Sequence, residues 1–138
     1  MLFGFQAPNR MILHSLFGAF TVGLVLALAI TKWIYPSLTS RIFPVNALKV
    51  KEKCSLSINL AFSCLIGLLS HVLLDVTNHA YNPVLWPFLG VNETPSPITP
   101  FLGGALTASI IVHALNAVVF VGLFIQKREN FWDRLLVG

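Results

Sequence analysis

Apolar positions dominate three long stretches of the chain, and polar positions collect in the segments between them. The stretches cover about residues 11–33, 55–79 and 101–125, and the third contains no Asp, Glu, Lys or Arg. Roughly 20 helical residues cross a bilayer core, and backbone groups in lipid must hydrogen-bond within their own segment. The pattern therefore predicts an all-α fold, an integral membrane bundle of three transmembrane helices that forms a single domain over residues 1–138.

A shorter apolar stretch, residues 84–91, lies between the second and third predicted helices. It is too short to cross a bilayer and Pro87 interrupts it, so we expect a short interfacial or re-entrant segment. Tyr81 and Trp86 suit that depth, because amphipathic aromatic rings collect at membrane interfaces. An apolar lip beside a polar site is expected of a lipid-handling protein, and it is equally typical of any tight membrane loop.

Composition supports a membrane environment. Apolar residues make up 56% of the chain and charged residues 10%, and the mean hydropathy is +0.80. Soluble domains normally carry about 25% charged residues. Membrane lipid is therefore the expected partner of most of the surface.

The basic residues are unevenly distributed around the predicted helices. Arg10 precedes the first helix, and the other eight lie near its end, in the first connecting segment or after the third helix. Because cytoplasmic loops are enriched in Lys and Arg, the N-terminus is predicted outside and the C-terminus in the cytoplasm, with the chain integral to the inner membrane. The basic residues lack the interleaved aromatic residues of a nucleic-acid groove, so no nucleic-acid partner is expected. The eight are Lys32, Arg41, Lys49, Lys51, Lys53, Lys127, Arg128 and Arg134.

The end of the second helix carries the clearest candidate chemistry. His71, Asp75 and His79 are spaced four residues apart, which places them within about 80° of one helix face, with Asn78 on the same stripe. Imidazole and carboxylate groups at this spacing form a ready pair of metal ligands. The predicted topology brings His14, at the start of the first helix, to the same membrane face. The alternative is that these are merely hydrated groups at helix ends, an interpretation that suits His79 best.

His113 lies near the middle of the third predicted helix, on a polar stripe with Ser109 and Asn116. Such stripes usually form hydrogen bonds to neighbouring helices, which is the interpretation we favour. His113 is also near enough to the depth of His71 to act as an additional or supporting metal ligand. Alternatively, the two imidazoles are axial haem ligands.

The two cysteines, Cys54 and Cys64, are ten residues apart. Both are expected along one helix, the second, so about 15 Å separates them. A disulfide between them is therefore not expected.

Two stretches resemble motifs of the YdjM-like family of membrane-bound metal-dependent hydrolases. Residues 9–15, Asn-Arg-Met-Ile-Leu-His-Ser, are similar to the family pattern His-Arg-x-x-x-His-Ser. Residues 70–75 match Ser-His-x-x-x-Asp, and residues 85–88 match the Leu-Trp-Pro-Phe that follows it after a short loop. The matching stretches cover about a fifth of the chain. The third predicted helix matches the family only in its general character and contains no matching motif.

This resemblance implies a helical membrane protein with a divalent-metal site, distantly similar to zinc-dependent phospholipase C and P1-type nucleases. By motif position, His14, His71 and Asp75 would bind the metal and Arg10 would hold an anionic substrate. Asn9 stands where the family usually has His, which removes one expected ligand. The family pattern also commonly includes an upstream helix and an acidic segment that this sequence does not contain.

The sequence thus predicts a metal-dependent hydrolase at the outer membrane face, acting on a phosphodiester or a lipid headgroup. Catalytic roles are predicted for Arg10 and Asp75, and a divalent metal, zinc or else manganese, is expected on His14, His71 and Asp75 with His79. A homo-oligomer or a companion membrane protein is a further possible partner that would complete the site. The alternative is a non-enzymatic membrane subunit or a haem-binding helix bundle.

Overall fold

The computed structural model describes residues 12–90, 95–126 and 131–137. Within these ranges the chain is helical, and the only β pairing is an isolated bridge between Tyr81 and Pro95. Three helical segments are long and apolar enough to cross a membrane: Leu16–Trp33, Ile58–Asn78 and Ala105–Gln126. We call them the first, second and third spans. They confirm the predicted all-α membrane fold with three spanning helices.

The first span begins with a capped turn and contains a local irregularity. Ser15 caps it, since its hydroxyl accepts a hydrogen bond from the Gly18 amide. A π-helical turn, Ala19–Gly23, then leads into the regular helix Leu24–Trp33. The turn contacts the second span, where Gly23 lies beside the Leu68 side chain. Single π-helical turns of this kind are frequent near functional sites.

The second and third spans begin later than predicted. The second begins at Ile58 rather than Ser55, because the Ser57 hydroxyl accepts the Leu60 amide and caps the helix there. The third begins at Ala105 rather than Phe101, because Gly103 and Gly104 adopt positive φ angles of 79° and 97°. Positive φ is the conformation that glycine tolerates and helices exclude.

Among the elements that lie wholly within the described residues, three short helices are outside the spans, and they were not predicted. Two of them, Tyr35–Ile42 and Ala47–Lys53, form the first connecting segment, and the third, Phe131–Leu136, follows the third span. The Tyr35 hydroxyl donates to the Leu136 carbonyl over 2.9 Å. A small core of Val50, Cys54 and Val137 joins the same segments. The first connecting segment and the C-terminal helix therefore lie together at one end of the bundle.

The spans themselves bury few side chains. The second span packs against both of the others, yet most of its large apolar side chains face outward, as do those of the third span. An outward apolar surface of this extent suits lipid and not water.

The segment between the second and third spans forms turns rather than a helix. Over residues 84–89 the chain folds back beside the first span, where the Leu16 amide donates to the Val84 carbonyl over 3.0 Å. The Trp86 ring meets the edge of Phe17 with centroids 6.1 Å apart. This segment therefore lies at the same end of the bundle as the start of the first span.

Candidate metal centre

His14, His71 and Asp75 converge at the end of the bundle opposite the C-terminal helix. One ligand atom from each residue can be chosen so that all three lie within 4.8 Å of one another. His14 comes from the turn before the first span, whereas His71 and Asp75 are one helical turn apart near the end of the second. The two imidazole rings are 4.8 Å apart between centroids. The predicted meeting of these two helix ends is thus present.

Asp75 is the centre of the group. The residue is only 7% exposed, and its Oδ2 accepts a hydrogen bond from His14 Nδ1. His71 Nε2 is 3.8 Å from the same oxygen, and His79 Nε2 is 4.0 Å from Oδ1. A carboxylate placed out of water requires partners of this kind, because an isolated buried charge is costly.

Local hydrogen bonds explain why His14 lies where it does. The Ser15 hydroxyl donates to the Ile12 carbonyl over 2.8 Å and accepts from the Gly18 amide over 3.0 Å. Ser15 itself is fully buried. This one side chain therefore fixes the turn that carries His14 against the first helical residues of the span.

A second set of bonds holds the end of the second span. The Ser96 hydroxyl donates to the Val76 carbonyl, and the Ser96 amide donates to the Ala80 carbonyl over 2.8 Å. The Asn82 side chain donates to the His79 carbonyl over 3.1 Å. Both side chains are buried. They tie the connecting segment to the last turn of the helix that carries Asp75 and His79.

The arrangement leaves one side accessible. The His71 and His79 side chains are 53% and 45% exposed, whereas the Asp75 side chain is 10% exposed. The buried carboxylate therefore lies behind imidazoles that a ligand can reach.

The donor set fits a single divalent ion. Zinc binds nitrogen and oxygen ligands at about 2.0–2.2 Å in tetrahedral directions, which places neighbouring ligand atoms about 3.4 Å apart. The ligand atoms of the group already lie within 4.8 Å of one another, so modest side-chain rotations bring all three onto one ion. Two imidazoles and one carboxylate also match the ligands that catalytic zinc sites use, with a fourth position left for water.

The remaining predicted site residues have different positions. His79 lies beside Asp75 but outside the group of three. Arg10 and Asn9 lie outside the described residues, so the role predicted for Arg10 stays a prediction. Asn78, on the same stripe, has a buried side-chain oxygen with no hydrogen-bond partner among the described residues.

His113 does not form the predicted bonds to a neighbouring helix within the described structure. Its Nδ1 lies 2.7 Å from the Ser109 carbonyl oxygen and 3.3 Å from the Ser109 hydroxyl, one turn earlier in the same span. The residue is exposed on the outer surface of the bundle. Two members of the polar stripe that the sequence suggested as interhelical, Ser109 and His113, thus contact each other within the third span.

Sequence comparison gives one clear relationship. A family model described as YdjM inner membrane protein matches residues 4–136, which is nearly the whole chain and includes both spans that contribute to the candidate centre. Searches of curated proteins and of solved structures gave no match.

Proposed function

The chain belongs to the YdjM inner membrane protein family, and from this premise and the geometry of the centre we propose that it is a membrane-bound metal-dependent hydrolase. The observation that supports this proposal is the convergence of His14, from the turn before the first span, with His71 and Asp75 of the second span. Zinc, or alternatively manganese, would lower the pKa of a bound water towards ~7 and so supply hydroxide at neutral pH.

Each protein group has a role that follows from its position. Asp75 is buried and accepts the His14 Nδ1–H, so it would orient that imidazole and leave Nε2 as the nitrogen with a free lone pair for a metal. His71 is exposed enough to complete the ligand set from the accessible side. His79, 4.0 Å from the carboxylate, is placed to serve as an additional ligand or to hold a proton for the leaving group.

The proposed substrates are phosphodiesters, including lipid headgroups, at the outer membrane face. The centre lies at a span end beside the apolar connecting segment, where Phe88 is 82% exposed and Phe17 and Trp86 make an aromatic edge contact. An amphiphile can rest its chains on such a surface while its headgroup reaches the imidazoles. Arg10, by motif position, would pair with the anionic group as negative charge develops.

The first experiment is metal analysis of the full chain purified in detergent. We expect one equivalent of zinc or manganese, lost in His71→Ala and in Asp75→Ala, together with metal-dependent cleavage of a chromogenic phosphodiester. His113→Ala is the matched control, since it removes an exposed imidazole from a span without touching the centre. Wild-type protein that binds neither ion on titration would contradict the proposal.

The non-enzymatic alternative predicts a different signal. If His71 and His113 were axial haem ligands, the purified protein would show a Soret band. The intrahelical bonds of His113 and the contact of His71 with the buried carboxylate favour the hydrolase instead. A visible absorption spectrum distinguishes the two.

A further inference from the structure

A cavity lies at the opposite end of the bundle from the candidate metal centre. It has a volume of about 770 Å³ and is open to the surface. Ligand pockets typically measure about 300–1,000 Å³, and they combine apolar walls with a few convergent polar groups. This cavity therefore has the size of a binding site, and its residues have no part in the function proposed above.

The walls of this cavity extend from the helix ends into the membrane-spanning segments. Thr31 lines it from the first span, and Leu60 and Ser63 line it from the second. Ser63 lies five residues into the second span, which corresponds to about 8 Å of helix. Leu56 and Ile58, at the start of that span, are largely exposed to the surroundings. A ligand that occupies the whole cavity is therefore in contact with lipid, which favours a lipid over a soluble metabolite.

The charged residues of the lining define the headgroup. Lys53 and Glu52 both line the cavity and are exposed, so the lining carries one positive and one negative side chain. Purely anionic ligands gain from the ammonium but are repelled by the carboxylate. A zwitterion with a phosphate and an ammonium group complements both.

The uncharged residues distinguish a primary from a quaternary ammonium. Quaternary ammonium groups are recognised by several aromatic faces, but among the described residues that line the cavity Tyr35 is the one aromatic, and its hydroxyl is bonded to the Leu136 carbonyl. Hydroxyl and amide oxygens are plentiful instead, for example on Thr31 and Asn59. Such acceptors pair with the N–H groups that a primary ammonium has and a quaternary one lacks.

We propose that this cavity binds a phospholipid whose headgroup joins a phosphate to a primary ammonium, with Lys53 on the phosphate and Glu52 on the ammonium. The acyl chains then lie against the exposed apolar surface at the start of the second span. Binding is at the membrane face opposite the metal centre, so this lipid is a bound structural partner and not the hydrolase substrate.

The experiment is a competition between lipids on the full chain. Delipidated protein in detergent is mixed with equal amounts of palmitoyl-oleoyl phosphatidylethanolamine, phosphatidylcholine and phosphatidylglycerol, and bound lipid is counted by native mass spectrometry. We expect about fivefold more ethanolamine lipid than glycerol lipid to be retained, the factor that one partly exposed ion pair contributes, and more ethanolamine lipid than choline lipid, because the choline ammonium has no N–H to donate. Equal retention of the three lipids, or preference for the glycerol lipid, would overturn the proposal.

Variants test whether the lipid preference arises in this cavity. Glu52→Gln should abolish the preference over the glycerol lipid, because it removes the partner of the ammonium, and Lys53→Gln should lower retention of all three lipids, because each contains a phosphate. Lys49→Gln, the same charge change on an exposed residue of the same helix outside the lining, should change neither result. Ser63→Leu fills the cavity from the spanning segment and should lower retention of the ethanolamine lipid without altering either charge.

Two further measurements separate the possible explanations. Soluble phosphoethanolamine should not displace the lipid at equal concentration, and displacement would show that a soluble phosphate ester is the ligand instead. Metal content should be unchanged in all four variants, because the centre lies at the other end of the bundle. If the wild-type protein retains its metal but shows no lipid preference, this inference is rejected. The proposed hydrolase function is then unaffected.

Discussion

Asp75 is contacted by imidazoles that come from different parts of the chain, but the contacts are unequal. His14 is hydrogen-bonded to the carboxylate, whereas His79 remains 4.0 Å away and is 45% exposed. Side chains that orient a ligand typically contribute 10- to 100-fold to metal affinity. The two imidazoles should therefore differ in importance although the sequence spacing makes His79 look equivalent to His71.

We accordingly expect His14→Ala to lower zinc affinity by about 100-fold or more and His79→Ala by less than about tenfold. Competition against a chromogenic chelator measures both values on purified protein. Equal losses in the two variants would mean that His79 moves into the ligand set when the ion binds, and that the geometry of the three-residue group is incomplete.

Asn78 presents a different feature, a buried amide oxygen with no partner among the described residues. Leaving a buried acceptor unpaired costs about 1–3 kcal/mol, and replacement by an apolar group of similar shape removes that cost. Asn78→Leu should therefore raise the thermal midpoint of the metal-free protein. Asn59→Leu, at the exposed start of the same span, should not.

The same substitution should weaken phosphodiester cleavage if the Asn78 oxygen accepts a hydrogen bond from the water that a metal at this centre would hold. A variant that is both more stable and less active indicates that this unpaired acceptor is retained for function. A variant that loses stability would show instead that Asn78 is satisfied in the folded protein.

The reactivity of the Cys54 thiol can be tested at the other end of the bundle. Burial raises the pKa of its thiol, and the nearby Cys64 thiol raises it further. The thiolate is the reactive form, so in Cys64→Ala the alkylation rate of Cys54 should rise with pH around a midpoint that still lies above ~8.5, the ordinary midpoint of a free thiol. A stopped-flow maleimide assay against a small thiol measures this shift, and a slow rate with an ordinary midpoint would show restricted access alone.

At the scale of elements, Gly18 allows the turn that carries His14. A Cβ at this position would overlap the Ile12 carbonyl oxygen, which also accepts the Ser15 hydroxyl. At Gly23, five residues later, a Cβ would lie 2.7 Å from the Gly18 carbonyl oxygen. The backbone of the first span is thus packed against itself at the irregular turn, and it has no room for a side chain there.

Gly18→Ala should therefore destabilise the protein by about 2 kcal/mol, the typical cost of forcing atoms into a packed site, and should displace His14 so that metal affinity also falls. Gly67→Ala is the control, because a Cβ at Gly67 meets nothing within 4 Å and alanine is favoured over glycine in a helix by about 1 kcal/mol. Thermal denaturation in detergent and metal titration measure the two effects. A Gly18→Ala variant with unchanged metal affinity would separate the turn from the centre.

These elements differ in how far the sequence could predict them. The spans follow from apolar length alone, because lipid leaves a helix as the stable choice for such a segment. The first residues of the spans do not follow from apolar length. The Ser57 hydroxyl fixes the start of the second span through a hydrogen bond, and the positive φ angle of Gly104 fixes the start of the third. Hydropathy reports neither effect. The helix Ala47–Lys53 is too short to produce a clear period.

The residues of the candidate centre likewise include some that the sequence predicts and some that it does not. His71 and Asp75 are recognisable from their spacing on one helix, and the contact with His14 follows from topology. The supporting side chains Ser96 and Asn82 bond to backbone carbonyls across the connecting segment, and such bonds leave no periodic signal. The placement of Cys54 on the second helix was wrong for a related reason, although neither cysteine forms a disulfide. Cys54 lies at the end of the preceding helix, not on the second span, and shares the lipid cavity with Cys64.

At the scale of the molecule, the three spans separate two chemically different ends. The candidate metal centre occupies one end, whereas the cavity and the described basic residues of the first connecting segment and C-terminal helix occupy the other. Because the basic end should face the cytoplasm, the orientation of the chain decides which compartment the centre serves.

That orientation can be measured with single cysteines in a Cys54→Ala, Cys64→Ala background. Ser37 and Pro97 are exposed in the first and second connecting segments, respectively, and the alternation of three spans puts them on opposite faces. A membrane-impermeant maleimide should label Pro97→Cys in right-side-out vesicles and Ser37→Cys in inside-out vesicles. The reverse pattern would place the His and Asp cluster in the cytoplasm, where its substrate would be an intracellular phosphodiester or an inner-leaflet headgroup. The basic segment would then face outward against the usual charge bias, so the labelling tests the charge argument and the proposed site of hydrolysis together.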